Sequence, residues 1–232
     1  MQSKLLLIIP AYNEEENIIN VVDNLLKNYP ECDYVVVNDG SRDNTRRICL
    51  EHNYNFVDYP VNLGLTSAFR GGLYYALRKE YEYVLQYDGD GQHDPIYIKQ
   101  ILNAAVAGNA DVVIGSRFVQ VPKPLSARML GSRIIERCIQ IVTGKQIKDP
   151  TSGMRLYNCR AMKIIWDNQN FGPEPDTLAH LIRCGLEVVE VPVEMKERVA
   201  GTSYLNITNS MKYMLHMCFS ILVVEFLRKK VK

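Results

Sequence analysis

Short apolar runs that alternate with helical segments are the feature that most constrains the fold of this 232-residue chain. They predict strands at residues 4–9, 34–37, 55–59, 83–87 and 111–115. Each run is followed by apolar residues at helical spacing, such as Ile18, Val22 and Leu25 after the first. Asn13 is predicted to cap the helix that follows the first run, with Glu16 at the capping-box position. Five such alternations with short connections are typical of an α/β fold, a mostly parallel sheet with helices on both faces.

Polar residues follow three of these strands at the point where each strand ends. Asn13 and Glu14 come after the first, residues 38–41 end the second, and residues 88–92 follow the fourth. The carboxyl ends of parallel strands meet at one edge, where ligands bind. Turn chemistry explains each segment alone, since Asn, Asp and Gly are common in turns. Three of them at equivalent positions predict a ligand-binding crevice.

The turn at residues 88–92 contains Asp88 and Asp90, two carboxylates separated by one glycine. Hard oxygen ligands on a tight turn suit Mg²⁺ or Mn²⁺ with bound phosphates. Taken alone the pair is a weak signal, because Asp-x-Asp pairs are common in loops. We interpret His93 and Asp94 as structural, since Asp94 precedes a proline at a predicted helix start.

Basic residues are concentrated in one segment of the chain. Between residues 117 and 160 there are nine Lys or Arg and two Asp or Glu, whereas the net charge of the whole chain is +1. The segment predicts a face that binds phosphates, although a solvated helix face explains any single arginine more simply. The near-neutral total argues against a polyanion binder, so no nucleic-acid partner is expected.

Cysteine spacing and the N-terminus indicate the compartment. The six cysteines form no C-x-x-C pair, so no metal or redox motif is expected among them. The first apolar run is too short for the core of a signal peptide. We therefore expect a cytoplasmic protein with reduced thiols.

Residues 211–227 are mostly apolar and are followed by a basic end. Lys212, His216 and Glu225 interrupt the run, and a bilayer-spanning helix needs about 20 predominantly apolar residues. The pattern predicts a C-terminal amphipathic helix, residues 205–232, beside a catalytic domain of residues 1–204. The basic end favours a peripheral position at the cytoplasmic membrane face, or a small integral-membrane partner, over packing on its own domain.

Several motifs resemble the family-2 glycosyltransferases of GT-A fold, which have a Rossmann-like sheet and use nucleotide-diphospho-sugars. Five of them are Pro10-Ala11-Tyr12-Asn13-Glu14, Asn38-Asp39-Gly40-Ser41, Asn62-x-Gly64, Asp88-Gly89-Asp90 and Gly115-Ser116-Arg117. Two more are Asp149-x-x-Ser152-Gly153-Met154-Arg155 and Arg198-x-x-Gly201-x-Ser203. The most similar subgroup is the dolichyl-phosphate mannose synthases, and the resemblance covers residues 4–204.

The resemblance implies roles for individual residues. The nucleotide-sugar donor would be bound by Pro10, Ala11, Tyr12, Glu14, Asn38, Asp39, Asp88 and Arg198. The divalent ion, Mg²⁺ or Mn²⁺, would be held by Asp88, Asp90 and Gln92. The acceptor phosphate would meet Arg117, Arg128 and Ser132. One departure is Asn38, which stands where many relatives have Asp.

The implied reaction is an inverting, metal-dependent transfer of a hexose from a GDP- or UDP-sugar to a polyprenyl phosphate. Asp90 and Arg117 are then candidate catalytic residues, because a metal ion and Arg stabilise the leaving diphosphate. Transfer to a sugar hydroxyl, in cell-surface polysaccharide assembly, would instead need a carboxylate base, for which Glu174 and Asp176 are candidates. A non-catalytic sugar-nucleotide-binding subunit of a membrane complex is a third alternative, and the intact metal motif argues against it.

Overall fold

The computed structural model describes residues 4–195 and 207–228. Within these residues seven strands form one sheet: β1 (Leu5–Ala11), β2 (Asp33–Asn38), β3 (Phe56–Asp58), β4 (Tyr83–Gln86), β5 (Val112–Ser116), β6 (Arg155–Asn158) and β7 (Val188–Pro192). Their order across the sheet is β3-β2-β1-β4-β6-β5-β7. All neighbouring strands are parallel except that β6 runs antiparallel to β4 and β5. The mostly parallel α/β sheet predicted from the sequence is confirmed.

Helices flank the sheet. In the described part of the chain they are α1 (Ile18–Asn28), α2 (Thr45–Glu51), α3 (Leu65–Arg78), α4 (Ile98–Gly108), α5 (Ala127–Thr143), α6 (Cys159–Asp167), α7 (Pro175–Arg183), α8 (Ile207–Phe219) and α9 (Glu225–Leu227). A 3₁₀ turn, Pro95–Tyr97, leads into α4, and a π-helical segment, Ser220–Val224, joins α8 to α9. The Asp94 side chain accepts a hydrogen bond from the backbone N–H of Ile96, so the predicted helix start there is confirmed.

The first strand shows why its sequence is continuously apolar. Leu6 and Ile8 belong to one hydrophobic cluster, whereas Leu5, Leu7 and Ile9 belong to another. Successive side chains of a strand point to opposite faces, so these two clusters lie on the two sides of the sheet. Both faces are covered, which fixes the carboxyl ends of the strands as the open edge where loops can build a site.

The antiparallel direction of β6 decides what lies beside the Asp88 turn. Its first residue, Arg155, pairs with Ile114 of β5, and Leu156 pairs with Leu85 near the carboxyl end of β4. A strand that starts at this edge is preceded by a turn at the same edge. Residues 149–154 therefore enter the crevice from the opposite side.

One predicted helix start is wrong. We expected Asn13 to cap the first helix, but α1 begins at Ile18, and Asn17 at its N-cap makes no side-chain capping bond. Asn13 instead has a left-handed backbone, with φ of 57°, and its side chain binds the backbone of Arg42. Asn13 therefore belongs to the loop after β1, and it binds the loop after β2 instead of starting a helix.

The C-terminal helix packs on α5, and the π-helical segment packs on α5 and α7. Met217 and Ile221 are buried in the same hydrophobic cluster as Ile135 and Ile139 of α5. Glu225 is fully buried, and its carboxylate binds His180 and Arg183 of α7 at 2.8 and 2.9 Å. No helix among the described residues is both long and apolar enough to cross a membrane.

Candidate active site

Two loops at the open edge hold each other through reciprocal hydrogen bonds. The Asn13 N–H donates to the Ser41 hydroxyl at 3.0 Å, and the Arg42 N–H donates to Asn13 Oδ1 at 2.8 Å. The Glu14 N–H donates to Thr45 Oγ1 at 2.8 Å. The loop after β1 and the loop after β2 therefore form one unit, beside the carboxyl ends where Ala11 and Asn38 pair in register.

The predicted donor-binding residues that the structure describes, which exclude Arg198, lie at this edge. Asp39 is almost fully engaged, because it accepts from the backbone N–H groups of Leu63 and Gly64 and from the Asn62 amide, each at 2.8–2.9 Å. The Asn38 amide lies between the Ser41 hydroxyl and the carboxylate of Asp58. Asp39 thus fixes the loop that starts α3.

Asn38 is the better residue beside Asp58. Its amide nitrogen donates to Asp58 Oδ1 at 2.7 Å. An aspartate in its place would put two carboxylates at hydrogen-bond distance, which is unfavourable unless one is protonated. The departure from the common family residue therefore has a local electrostatic reason.

Hydrogen bonds from neighbouring residues orient the predicted metal-binding turn, residues 88–92. Gln86 Nε2 donates to Asp88 Oδ1 at 3.0 Å, and the Asp88 N–H donates to His93 Nδ1 at 2.9 Å. His93 is buried, and its Nε2 lies 3.5 Å from Asp88 Oδ2. Asp90 is also buried, and its Oδ1 accepts from the Gln92 N–H. The buried Gln86 and His93 side chains fix the direction of the Asp88 carboxylate, as outer-shell groups do around metal ligands, and the Gln92 N–H orients Asp90.

The residues present fit a divalent ion only in part. Asp88 and Asp90 supply hard oxygen ligands, and the Gln86 Oε1 atom beside them is buried with no hydrogen-bond partner among the described residues. No cluster of three or more His, Cys, Asp or Glu suited to a metal occurs in residues 4–195 and 207–228. Such a set suits Mg²⁺ or Mn²⁺ bound through one or two carboxylates together with substrate phosphates.

Gly153 presses directly on the metal turn. A Cβ atom at this position would lie 2.4 Å from Asp88 Oδ2. Ser152, next to it, anchors the turn by donating to the carbonyl of Gly115 at 2.5 Å. Any side chain larger than that of glycine at position 153 would therefore push against the Asp88 carboxylate.

Gly153→Ala is expected to weaken Mn²⁺-dependent nucleotide binding by about 10–100-fold, because the new methyl group displaces the Asp88 carboxylate. Stability should change little, since the displaced atom is the end of a side chain. Gly108→Ala, where an added Cβ meets nothing within 4 Å, is the matched control and should bind like the wild type. Calorimetric titration of both variants measures the effect, and equal affinities would contradict it.

At its other end the same turn contacts the basic side of the crevice. We call this side the basic wall, and it contains Arg117 and Lys123. Asp149 is fully buried and forms a bidentate pair with Arg117, with Nε to Oδ2 and Nη2 to Oδ1 both at 2.7 Å. The Arg117 N–H also donates to Asp149 Oδ2. The turn at residues 149–153 thus touches the metal turn through Gly153 and the basic wall through Asp149.

Two predicted acceptor residues are brought together by Thr151. Its Oγ1 lies 3.4 Å from Arg117 Nη2 and 3.4 Å from Ser132 Oγ. Lys123 joins them, since its ammonium donates to Ser132 Oγ at 3.2 Å and to Glu136 at 2.8 Å. The Arg128 side chain and Arg198 lie outside the described residues, so their predicted roles stay predictions.

Sequence reasoning missed four contributors to this site. Lys123 had a signal, the basic segment of residues 117–160, but no spacing distinguished it from its neighbours. Asp149 and Gly153 stood in a motif whose contacts the sequence did not indicate. Gln86 closes the fourth strand and had no signal.

Asp176 lies among groups of the C-terminal segment. Its Oδ1 accepts from the Thr177 N–H at 2.8 Å, and its Oδ2 accepts from the Ser220 hydroxyl at 2.7 Å and pairs with Arg228 at 3.3 Å. A catalytic role for Asp176 stays a prediction, and it would require Ser220 and Arg228 to withdraw.

Glu174 is the second candidate base. Burial raises the pKa of its carboxyl above the ordinary 4.5, and nearby Asp176 raises it further, while the Thr66 hydroxyl, which donates at 2.5 Å, and Arg155 act against the shift. Arg155 is itself buried and donates to the carbonyls of Pro173, Glu174 and Pro150. The loop before α7 is therefore fixed by a buried cation.

The raised pKa of Glu174 makes stability pH-dependent. Well below pH 4.5 the carboxyl is neutral in the folded and unfolded chains, so its ionisation has no effect on folding. As pH rises toward the folded-state pKa, the unfolded chain ionises first, and the folded state loses stability. The free energy of unfolding of Glu174→Gln relative to the wild type should therefore increase from about pH 4 to pH 7.

Urea unfolding at several pH values measures this difference. Glu51→Gln changes a carboxyl that pairs with Arg47 on the exposed surface of α2, and it serves as the control. A difference for Glu174→Gln that stays flat or falls with pH would contradict the effect of burial.

A mostly parallel sheet with an antiparallel β6, an Asp-x-Asp turn after β4 and a basic wall beside it define a glycosyltransferase of GT-A fold. The sequence matches the family described as Glycosyl transferase family 2 over residues 6–166. The chain belongs to this family, and the resemblance seen in its motifs is confirmed.

Relatives cover most of the chain. Polyprenol monophosphomannose synthase of Mycolicibacterium smegmatis is 31% identical over 219 residues, which cover 89% of this chain and 82% of that protein. Undecaprenyl-phosphate mannosyltransferase of Micrococcus luteus is 30% identical over 216 residues, covering 88% of each. These relatives agree with the dolichyl-phosphate mannose synthase-like subgroup indicated by the sequence.

Solved structures share the fold. Glucosyl-3-phosphoglycerate synthase from Mycobacterium tuberculosis, in complex with Mn²⁺ and uridine-diphosphate-glucose, superposes with a TM-score of 0.65 at 16% identity. The match covers 94% of this chain and 78% of that structure. At this identity the likeness establishes the fold alone.

Proposed function

We propose that this glycosyltransferase transfers a hexose from a GDP- or UDP-sugar to a polyprenyl phosphate with inversion at the anomeric carbon. An oxygen of the acceptor phosphate forms the new bond to that carbon as the bond to the donor diphosphate breaks. The names of the two mannosyltransferase relatives support this acceptor class. A phosphate acceptor is already an anion at neutral pH, so it needs positioning more than it needs a base.

In this proposal each group of predicted residues has one task. The donor is bound by Pro10, Ala11, Tyr12, Glu14, Asn38, Asp39, Asp88 and Arg198. Asp88, Asp90 and Gln92 hold Mg²⁺ or Mn²⁺, which would supply positive charge to the leaving diphosphate. Arg117, Arg128 and Ser132, joined by Lys123, hold the acceptor phosphate.

The observation that carries the proposal is that one turn contacts both the basic wall and the Asp88–Asp90 turn. The turn at residues 149–153 orients Arg117 on one side and touches Asp88 on the other, so cations and the metal carboxylates are held by one rigid element. On the acceptor side, Asp176 is bound by the Ser220 hydroxyl and Arg228. Fixed cations at the crevice, together with a carboxylate at Asp176 that is already engaged, favour an anionic acceptor.

A sugar hydroxyl is the second candidate acceptor, and Glu174 favours it. A carboxyl whose pKa is raised by burial is better suited to accept a proton near neutral pH than an ordinary one. This route needs Glu174 as the base, whereas the phosphate route does not. The two reactions therefore differ in how they respond to Glu174→Gln.

The cellular setting completes the proposal. We propose that residues 1–204 form the catalytic domain and that residues 205–232 hold it at the cytoplasmic membrane face, on lipid or on a small integral-membrane partner. Reduced thiols agree with this compartment, since all six cysteines are free in the described structure.

A screen of nucleotide sugars with a short polyprenyl phosphate in detergent tests the proposal. The expected product is a glycosyl polyprenyl phosphate of inverted configuration, formed with Mg²⁺ or Mn²⁺ and lost with EDTA. Glu174→Gln should retain most of this transfer. Transfer only to saccharide hydroxyls, abolished by Glu174→Gln, would replace the phosphate proposal with the second candidate.

A further inference from the structure

A cysteine, a histidine and a glutamate are in contact where α7 meets the end of the chain. Cys184 Sγ lies 3.4 Å from His180 Nε2, and His180 Nδ1 lies 2.8 Å from Glu225 Oε1. His180 is 2% exposed and Glu225 is fully buried, and the Phe171 ring packs on the imidazole at 4.7 Å between ring centroids. The triad Cys184–His180–Glu225 is therefore fixed by packing, and none of its members has a part in the proposed transfer reaction.

The hydrogen bonds of the triad assign the proton positions. A carboxylate only accepts, so Glu225 takes the N–H of His180 Nδ1. In the neutral ring Nε2 then carries the lone pair, and the S–H of Cys184 is the donor that faces it. A thiol within reach of a base, with a third group that orients the base, is the arrangement of an activated nucleophile.

Three arginines lie around the triad. Arg183 and Arg228 pair with Glu225 at 2.9 and 3.3 Å and compensate its buried charge. Arg160 Nη2 donates to the Cys184 carbonyl at 3.4 Å. Cys184 lies at the carboxyl end of α7, where the helix dipole opposes a thiolate, and cations beside a thiol favour its reaction as a nucleophile. The arginines therefore offset the helix end.

The surroundings of the sulfur suit modification of the thiol better than acyl transfer. Acyl transfer by a thiol or hydroxyl uses backbone N–H groups beside the nucleophile to stabilise an oxyanion. The Cys184 N–H already donates to the His180 carbonyl at 2.9 Å, within the last turn of α7. The peptide groups at this helix end present carbonyl oxygens, which would repel an oxyanion.

Other thiols of the chain have different surroundings. Burial raises the pKa of three of them to about 11: Cys32, Cys49 and Cys218. Cys159 is exposed, but its S–H donates to two backbone carbonyls, which cannot take its proton. Cys184 is half-buried and faces an imidazole, so it combines access with a proton acceptor.

We propose that Cys184 is a site of modification by peroxides, with His180 as the base that takes the thiol proton. The sulfur attacks one oxygen of hydrogen peroxide and forms the S–O bond of a sulfenic acid as the O–O bond breaks. The other oxygen leaves with the proton held on His180 Nε2, so the peroxide is reduced to water and the thiol is oxidised. An external thiol reverses the step, because two of its molecules form a disulfide and restore Cys184 with release of water.

The triad connects Cys184 to the end of the chain and to Asp176. Arg228 binds Glu225 Oε2 and Asp176 Oδ2, each at 3.3 Å, and the Ser220 hydroxyl donates to the same Asp176 oxygen. A sulfenic acid replaces the S–H donor with a larger S–O–H group, so the 3.4 Å contact with His180 lengthens. Oxidation is therefore expected to weaken the bond from His180 to Glu225 and to loosen residues 220–228 from α7.

Timed alkylation of the full chain with iodoacetamide, followed at each cysteine by mass spectrometry, tests the activated thiol. In the wild type Cys184 should react about tenfold faster than the more exposed Cys159, because its proton has an acceptor. His180→Gln should lower the Cys184 rate to about that of Cys159. The matched control is His52→Gln, which changes an exposed histidine beside Tyr54 and should leave the Cys184 rate unchanged. Equal rates at the two cysteines of the wild type would overturn the proposal even if His180→Gln fails to fold.

Hydrogen peroxide followed by dimedone, which traps sulfenic acids, tests the modification itself. Cys184 should be the first cysteine to carry the adduct, and dithiothreitol added before dimedone should abolish it. Amide exchange in residues 220–228 should become at least about threefold faster on oxidation of the wild type and of Cys159→Ala, but not of Cys184→Ala. Adducts that form first at another cysteine would overturn the proposal, and an adduct at Cys184 with unchanged exchange would refute the link to the end of the chain. Neither measurement depends on sugar transfer, so the proposed function stands or falls separately.

Discussion

Replacing Asp90 with alanine is expected to abolish metal-dependent binding of the nucleoside diphosphate. Asp90 is buried at the metal turn, and the turn provides few other carboxylates to hold an ion. Without the ion the charge that develops on the leaving diphosphate is not stabilised. Turnover should fall by about 10³-fold or more, at least the scale seen when an oxyanion donor is removed.

Calorimetry with GDP or UDP, with and without Mn²⁺, measures the loss. The control is Asp94→Ala, which removes a nearby carboxylate whose side chain caps the Pro95–Tyr97 turn. That variant should keep Mn²⁺-dependent binding and lose only about 1 kcal/mol of stability, the usual effect of a lost cap. Unchanged binding by Asp90→Ala would contradict the metal assignment.

Replacing Arg117 with alanine is expected to damage both stability and transfer. Asp149 is fully buried, and Arg117 neutralises it through two 2.7 Å hydrogen bonds. Removing one partner of a buried ion pair leaves an uncompensated charge, which costs about 3–5 kcal/mol. Chemical denaturation measures this loss. Arg47→Ala, which breaks the exposed pair with Glu51, should cost less than about 1 kcal/mol.

A double variant separates the two roles of Arg117. Arg117→Gln/Asp149→Asn removes both charges and should recover much of the stability lost in Arg117→Ala. Transfer to a phosphate acceptor should stay low, because the cation is still absent, while donor binding is retained. Wild-type transfer by the double variant would show that Arg117 acts only through folding. A fully stable Arg117→Ala would refute the ion-pair explanation.

The alternation of strands and helices and the position of the crevice could be predicted because they depend on short-range patterns. A run such as Leu5 to Ile9 is apolar at every position, since both faces of its strand are covered. Asp88 and Asn38 follow such runs directly, so their place at the strand ends follows from the chain itself. Asp94 also acts locally, through a hydrogen bond two residues away.

Contacts between distant segments could not be predicted in the same way. The partners Arg117 and Asp149 are 32 residues apart, and Thr66 and Glu174 are 108 residues apart. The helix start at Asn13 was misread because its capping signal is local, whereas its actual partner, Arg42, is on another loop. The residue type at one position does not indicate which distant side chain will lie beside it in the folded protein.

The sequence by itself determined the α/β fold, the family and the place of the metal turn, because strand burial and turn chemistry are encoded in adjacent residues. Only the tertiary structure decided that the turn at residues 149–153 lies between Asp88 and Arg117 and contacts both. It also decided that the C-terminal helix packs on α5. Both results depend on how an antiparallel strand and a terminal helix pack on a finished sheet, and packing is a property of the whole chain.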